Sequence, residues 1–226
     1  MTNLGCGARK TGFTLIELLI TIAIILILIA IALPNFLEAQ VRAKVVRAES
    51  DMRSLSIAME SYYLDRKVYP YQSIPSLEMT PLTDGLRWLT SPIAYMTALP
   101  VNPFSFAVDP VQPLPTAGFN YKLTSTTPPP TGGVNRFSKV DAYYLSSYGP
   151  DFEDDTRYGI ESWPFSGTPD PCAARSSCFL RSYSPTNGSR SVGDLYRFGG
   201  EFKAGSWCLD GVIIRGRDAE VWPAWG

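Results

Sequence analysis

Histidine is absent from this chain of 226 residues. Its absence removes the commonest general base and a usual zinc ligand. The charges are nearly balanced, with 20 basic and 21 acidic residues, so the sequence has no electrostatic footprint for nucleic acid. The serine-hydrolase pattern G-x-S-x-G and a phosphate loop are also missing. We therefore expect no enzyme and no nucleic-acid partner, although carboxylate pairs for glycoside hydrolysis remain compatible with the composition.

The N-terminal segment is apolar enough to cross a membrane. Between Leu18 and Leu33 the only polar side chain is Thr21, and about 20 apolar residues span the hydrocarbon core. Glu17, near the start of this segment, does not fit a membrane span, because inserting a carboxylate at the bilayer centre costs roughly 2.5–3.5 kcal/mol. The alternative is an ordinary cleaved secretory signal. That alternative is disfavoured because the helical pattern continues beyond the apolar segment and does not stop at a processing site.

Beyond Pro34 the pattern becomes that of an amphipathic helix. We predict one continuous helix over 13–66, about 80 Å long at about 1.5 Å per residue, with a transmembrane part over 13–37. Pro34 lacks an amide hydrogen and predicts a kink or a loosened turn. Apolar residues recur at spacings of three and four along one face: Leu37, Val41, Val45, Ala48, Met52, Leu55, Met59 and Tyr62.

The stretch from Arg9 to Glu17, R-K-T-G-F-T-L-I-E, resembles the class III signal of type IV pilins and type II secretion pseudopilins. The resemblance implies that a prepilin peptidase removes residues 1–12 by cutting after Gly12, and that it methylates Phe13. Pro34 lies where that family often has a helix-kinking proline. The same resemblance implies partners: other copies of the chain, other pseudopilins, and an inner-membrane assembly platform.

The resemblance also implies a role for Glu17. In related filaments, this glutamate neutralises the terminal amine of a neighbouring subunit, which here is the amine of Phe13. Opposite charges at about 4 Å attract by roughly 4 kcal/mol at an effective dielectric near 20, which is comparable with the insertion penalty. Glu17 and Pro34 are therefore the expected assembly residues. The alternative is a carboxylate that snorkels to the interface without a partner.

Residues 67–226 have the composition of a globular domain rich in loops, with 18 of the 19 prolines. We predict an α+β fold of the pilin type, in which the second half of the long helix packs against a small antiparallel sheet. A short helix is predicted at Pro81–Leu89. Alternating aromatic and apolar residues predict four strands: Phe119–Thr124, Ala142–Tyr148, Leu195–Phe198 and Trp207–Arg215.

An acidic loop is the candidate calcium site. Ser147, Gly149 and Asp151 match a "ser-x-gly-x-asp" stretch that opens a calcium loop in the major pseudopilin family, whereas Asn102 replaces an aspartate of that family. Calcium takes six to eight hard oxygen ligands, and Asp151, Asp154 and Asp155 are the expected carboxylates. The last two follow sooner than in the family, and the alternative is a solvated acidic loop.

The candidates for a disulfide are Cys172, Cys178 and Cys208. An oxidising compartment favours a disulfide among them, and a short loop between Cys172 and Cys178 is one possibility. Since three is odd, one thiol stays free or pairs with another chain. All three reduced and packed in the core is the alternative.

These observations favour a structural subunit of a type II secretion pseudopilus. We expect a single-pass inner-membrane protein with its C-terminal domain in the periplasm, which assembles into a filament and has calcium as a possible cofactor. Two alternatives are a type IV pilus subunit for adhesion, motility or DNA uptake, and a membrane-anchored glycan-binding module. The second would use the tryptophans near the C-terminus as its site: Trp207, Trp222 and Trp225.

Overall fold

The computed structural model divides the chain into two compact units, Met1–Gln40 and Val41–Gly226. One long helix, α1, covers Leu15–Arg66 and contributes residues to both. The structure describes the following residues: 12–72, 85–104, 121–127, 140–153, 163–164, 170–172, 179–185 and 191–216.

The first unit contains the apolar half of α1, whose side chains are exposed. Of the helices in the described part of the chain, α1 is the one long and apolar enough to cross a membrane. The helix continues without interruption through Pro34, so the loosened turn that we considered there is not present. The Asn35 side-chain amide donates a hydrogen bond to the Ile31 carbonyl at 3.4 Å, one turn earlier.

The second unit contains six strands along the described chain, in two sheets of three strands each. They are β1 Lys122–Ser125, β2 Ala142–Ser147, β3 Phe179–Leu180, β4 Leu195–Gly200, β5 Ser206–Leu209 and β6 Val212–Arg215. The first sheet has the order β1-β2-β4 and is antiparallel throughout. The second has the order β3-β5-β6, with β3 parallel to β5 and β6 antiparallel to it.

The first sheet is covered on both faces because its strands alternate apolar side chains. Tyr143 and Leu145 of β2 face α1, whereas Tyr144 belongs to a second cluster on the opposite face. The main core joins this sheet to one face of α1. Its buried members from α1 are Val45, Ala48, Met52, Leu55, Ala58 and Met59, and those from the rest of the chain are Tyr69, Leu86, Leu89, Phe104, Tyr121, Leu123, Tyr143, Leu145 and Leu195.

The second cluster lies between the two sheets and is mostly aromatic. Trp207 of β5 and Trp163 are buried against Tyr144, with ring centroids 4.9 Å apart for Tyr144 and Trp163. Phe198 of β4 packs on Trp207 at 4.8 Å. Aromatic rings bury the largest area per residue, so a short second sheet is enough to cover the outer face of the first.

Several predicted elements differ from the structure in their limits. The single strand predicted over Trp207–Arg215 is a hairpin, because Asp210 and Gly211 have φ values of 51° and 80° and form a tight turn that reverses the chain. The helix predicted at Pro81–Leu89 is a 3₁₀ helix at Gly85–Leu89, and 81–84 lie outside the described residues. Strand β3, which pairs in parallel, was not predicted.

Candidate functional site

The start of α1 carries a reciprocal capping arrangement between Thr14 and Glu17. The Thr14 backbone N–H donates to Glu17 Oε2 at 2.9 Å, and the Thr14 hydroxyl donates to the same oxygen at 2.6 Å. The Glu17 N–H lies 3.4 Å from Thr14 Oγ1. This arrangement is a capping box, in which the side chains of the first and fourth residues accept hydrogen bonds from backbone N–H groups that have no partner within the helix. Within its own chain, Glu17 is therefore hydrogen-bonded rather than without a partner.

The sequence showed a carboxylate in an apolar segment but did not show this local contact. The signal was present, because Thr14 and Glu17 have the T-x-x-E spacing of a capping box. Gly12 and Phe13, the expected processing residues, precede the helix and are exposed. The open space around the Gly12 Cα and the exposed Phe13 leave this segment accessible. Nothing else in the described chain covers the apolar side chains that follow.

The acidic loop that follows β2 is hydrogen-bonded to the segment that precedes β4. Asp151 Oδ2 accepts a hydrogen bond from the Gly193 N–H at 3.2 Å, and Asp151 Oδ1 accepts one from the Glu153 N–H at 3.3 Å. Gly149 has φ 63°, and a Cβ there would lie 2.4 Å from the Gly193 carbonyl oxygen. Asp194 is buried beside this contact. The structure thus brings Gly193 and Asp194 to the acidic loop, a link that the sequence did not reveal.

Asn102, which stands where the family has an aspartate, is buried and anchors the end of β2. Its Oδ1 accepts hydrogen bonds from the Ser147 hydroxyl at 2.8 Å and from the Phe104 N–H at 3.0 Å. Phe104 in turn contacts Phe152, with ring centroids 5.9 Å apart. Ser147 is therefore bonded within the domain, and its hydroxyl faces an amide oxygen.

Whether calcium fits the acidic loop depends on which oxygen atoms the loop offers as ligands. No group of three or more acidic, cysteine or histidine side chains suited to a metal occurs among the described residues. Each carboxylate oxygen of Asp151 accepts one backbone hydrogen bond and has lone pairs left for an ion. Asp154 and Asp155 lie outside the described residues. The described part of the loop offers the carboxylates of Asp151, which is half-buried, and of Glu153, which is exposed, and the other carboxylates predicted to bind calcium are those of Asp154 and Asp155.

Cys172 and Cys208 form a disulfide that closes a separation of 36 residues. The short loop between Cys172 and Cys178 and the all-reduced alternative were therefore wrong, and Cys178 lies outside the described residues. Cys208 is buried in β5 and faces Phe179 of β3 in the parallel pairing. The sequence left the pairing open because three cysteines allow several connectivities and strand β3 was not predicted.

Tyrosine hydroxyls attach α1 to the rest of its domain. Glu60 accepts hydrogen bonds from Tyr69 at 3.1 Å and from Tyr143 at 3.2 Å. Asp51 accepts one from Tyr121 at 3.0 Å. Burial, reinforced by these carboxylates, raises the pKa of Tyr69, Tyr121 and Tyr143 well above the ordinary value, so the phenols stay protonated donors.

Trp207 does not form a glycan platform, because its ring is fully buried in the second cluster and its indole N–H donates to the Phe202 carbonyl at 2.9 Å. Trp222 and Trp225 lie outside the described residues. The part of a tryptophan site that the structure describes is therefore a packing element. Stacking on a sugar requires an exposed ring face, which Trp207 lacks.

Comparison with known protein families gives two adjoining matches. Residues 7–33 match the family described as the prokaryotic N-terminal methylation motif. Residues 35–129 match the family described as type II secretion system protein G. The first match covers Gly12, Phe13 and Glu17, and the second begins directly after Pro34.

Curated relatives fall into two groups. The chain is 30% identical over 160 residues to the type II secretion system core protein G of Escherichia coli, which covers 70% of this chain and 94% of the relative. It is 29% identical to the protein of that name from Dickeya chrysanthemi, over 69% of this chain and 87% of the relative. It is 46% identical to the type IV major pilin protein PilA of Myxococcus xanthus, but over only 27% of this chain and 28% of that pilin. No solved structure matches the chain.

Proposed function

The chain belongs to the family of type II secretion system core protein G, and from this membership we propose that it is a structural subunit of a secretion pseudopilus. The observation that carries the proposal is the match over 94% of the Escherichia coli relative, which includes the globular domain. In this role the apolar half of α1 packs with other copies into a helical filament. Such a contact is heterologous, so it does not close and extends into a filament.

The proposed cycle begins in the inner membrane. Prepilin peptidase removes residues 1–12 and methylates Phe13, and the exposed segment before α1 supports access to that bond. The subunit then waits in the bilayer until the assembly platform adds it to the filament. Glu17 pairs with the Phe13 amine of a neighbour at that step. The capping box supports this order, because Thr14 satisfies the carboxylate of a subunit that has no neighbour.

We further propose that residues 67–226 lie in the periplasm. The disulfide between Cys172 and Cys208 supports this orientation, because such bonds persist in the periplasm and are rare in the cytosol. We also propose that Asp151, Asp154 and Asp155 bind calcium, and the carboxylate of Asp151 supports this, because its oxygens keep lone pairs for an ion. A structural role without catalysis agrees with the family.

A type IV pilus subunit is the second candidate, supported by the 46% identity to a type IV pilin. That likeness extends over 61 residues, a length that accounts for the long helix but not for the domain. The deciding experiment deletes the gene in its native bacterium and measures exported proteins in the culture medium, with adhesion and motility alongside. Loss of export, restored by the wild-type gene, supports the pseudopilus. Normal export with loss of adhesion or motility would favour the pilus instead.

A further inference from the structure

Strand β6 is at the edge of the second sheet in the described part of the chain, and it carries exposed apolar side chains. The sheet has the order β3-β5-β6, so β5 pairs with one edge of β6 only. Val212 is 65% exposed and Ile213 is 40% exposed. An apolar edge strand is a place where further strands add, and natural proteins usually cover or blunt such edges. We therefore expect a further segment to cover this edge.

The hydrogen bonds of the hairpin show which backbone groups of β6 point to the open edge. The Gly216 N–H donates to the Gly205 carbonyl at 2.9 Å, which extends the register of β5 and β6 by one step. Bonded and non-bonded pairs alternate along an antiparallel ladder. Ile214 therefore bonds to β5, whereas the N–H and carbonyl groups of Ile213 and Arg215 point away from β5. A further strand on this edge bonds to those groups.

The chain that follows β6 has the length and the pattern of such a strand. Residues 217–226 read R-D-A-E-V-W-P-A-W-G, and a strand as long as β6 takes four residues. Gly216 does not have a positive φ, so a two-residue hairpin loop does not begin there. A four-residue loop over 216–219, commonly built around a type I turn, places Glu220 opposite Arg215.

This register pairs the outer face of the tail with the outer face of β6. Glu220 lies opposite Arg215, and opposite charges directly across two strands stabilise the pairing. Trp222 lies opposite Ile213, which gives a pair of an aromatic and a β-branched side chain, another favourable combination. The tail therefore matches β6 in both charge and apolar character.

The other face and the end of the tail fit the same register. Val221 lies opposite Ile214, which packs against the second cluster, whereas a slip of one residue would place the Glu220 carboxylate there. Pro223 lies opposite Val212, in a pair whose N–H groups point away from each other. Proline is tolerated where the ladder needs no N–H, and it blunts the new edge of the sheet.

We infer that residues 220–223 form a fourth strand of the second sheet, antiparallel to β6 on its open edge. The occupant of the edge is this chain's own C-terminal segment, because that segment starts where β6 ends and matches the edge in charge and pattern. The strand prevents other polypeptides from adding to the apolar edge. It also gives Trp222 a packing role against Ile213. The inference concerns the domain itself and does not depend on the proposed pseudopilus function.

The first experiment tests the register with a disulfide in the full chain carrying Cys178→Ser. Val212→Cys with Pro223→Cys creates a non-hydrogen-bonded pair, whose Cα atoms are about 4.5 Å apart, a distance that a disulfide spans. We expect most molecules of the detergent-solubilised protein to form this disulfide within one chain, as mapped by mass spectrometry. The matched control is Val212→Cys with Trp222→Cys, which should form far less because the two side chains lie on opposite faces.

Three results of this experiment would overturn the inference. Equal disulfide yields from the two pairs would mean that the tail has no fixed register. No disulfide from either pair would mean that the tail does not lie along β6. A disulfide that joins two chains would mean that the edge takes the tail of another copy.

The second experiment measures amide hydrogen exchange in the mature protein by NMR. The Ile213 N–H should be protected by the tail, and Trp222→Pro should accelerate its exchange about tenfold or more, since proline has no N–H and interrupts the pairing. The Ile214 N–H bonds to β5 and should keep its protection, which shows that the hairpin is intact. Trp225→Pro is the matched control and should leave Ile213 protected. Equally fast exchange of the Ile213 N–H in the wild type and in Trp222→Pro would overturn the inference.

Discussion

The Tyr121 hydroxyl lies 3.0 Å from Asp51 Oδ2, and this contact joins the residue before β1 to α1. Arg47 reaches the same carboxylate oxygen at 3.8 Å. The Tyr121 ring is buried in the main core while the carboxylate is half-buried. Because the donor is uncharged and the acceptor is charged, the bond belongs to the stronger class of hydrogen bonds.

Replacing Tyr121 by phenylalanine removes this bond and keeps the ring. We expect a loss of about 1–2 kcal/mol in the free energy of unfolding, below the full range for hydrogen bonds to charged groups because Asp51 keeps Arg47 and water. The matched control is Tyr95→Phe, whose bond to Asp65 at 2.9 Å is exposed and should matter less. Urea unfolding of the detergent-solubilised mature protein measures both variants. Equal losses would show that burial does not set the strength of these contacts.

The same tyrosines predict a loss of stability at alkaline pH. The pKa values of Tyr69, Tyr121 and Tyr143 are raised, first by burial, so their contribution is fully present below the unfolded value near 10. Above about pH 10 the unfolded chain ionises first, and each tyrosine removes up to about 1.4 kcal/mol of stability per pH unit. Tyr121→Phe should reduce the alkaline slope by about one third of this contribution. An unchanged slope in unfolding curves between pH 9 and 11 would contradict the burial of Tyr121.

Processing should leave a mature protein that begins with methylated Phe13. The leader holds Arg9 and Lys10 and no acidic residue. The 20 basic side chains of the whole chain therefore fall to 18, against 21 acidic ones, a net side-chain charge of −3. Intact mass of purified filaments checks the start and the methyl group together. A start at Met1 or Leu33 would refute the processing site.

Two substitutions separate the charge of Glu17 from its capping role. Glu17→Val removes both and should leave membrane insertion intact while filaments are lost, because the Phe13 amine of a neighbour is unpaired. Glu17→Gln keeps an acceptor for the Thr14 N–H, as the capping box allows glutamine, but has no charge. Filaments should be absent from both variants, measured by shearing and immunoblot. Normal assembly of Glu17→Gln would mean that helix capping, not charge pairing, is the contribution of this residue.

The disulfide should stabilise the second sheet. Cys172→Ser opens a loop of 36 residues and should cost about 2–4 kcal/mol in the free energy of unfolding. Cys178→Ser is the matched control and should cost little. Chemical unfolding with and without reductant measures the difference, and reductant should not destabilise Cys172→Ser further. A large loss in Cys178→Ser with the wild-type disulfide intact would show that Cys178 contributes to the core.

Calcium binding predicts a gain in thermal stability when the ion is added to the mature protein. At about a hundredfold excess over the dissociation constant, the gain is about 2.7 kcal/mol. Asp151→Ala lowers stability even with chelator, since it removes the acceptor of the Gly193 N–H, so the calcium-dependent increment is the measured quantity. That increment should vanish in Asp151→Ala. Identical melting curves with calcium, magnesium and chelator would make the loop a solvated turn.

The long helix was predictable because its pattern is local. The helix predicted over 13–66 agrees closely with α1 at Leu15–Arg66, since apolar runs and spacings of three and four depend on nearby residues alone. Strand β2 was predicted at Ala142–Tyr148 for a similar reason and ends one residue earlier. The capping box is also local, since Thr14 and Glu17 are three residues apart, but only the charge of Glu17 entered the prediction.

The parts that the sequence did not reveal depend on contacts between distant residues. Strand β3 has two residues, which is too short for any alternation to show, and its parallel pairing depends on β5. The hydrogen bond from Gly193 to Asp151 joins residues 42 positions apart. The two tyrosines that donate to Glu60 come from different segments of the chain. Such contacts follow from the packing of the whole domain, and no short pattern encodes them.

The tyrosine contacts of α1 also bear on how a filament transmits force. The carboxylates that accept them lie at Asp51, Glu60 and Asp65, spread over about 21 Å of helix. A pull or push along the helix axis loads these bonds in shear, so they share the load and have to break together. A load perpendicular to the axis peels them one at a time. The hydrogen bonds therefore hold the domain to α1 more firmly against a load along the helix axis than against a load that pulls the domain sideways.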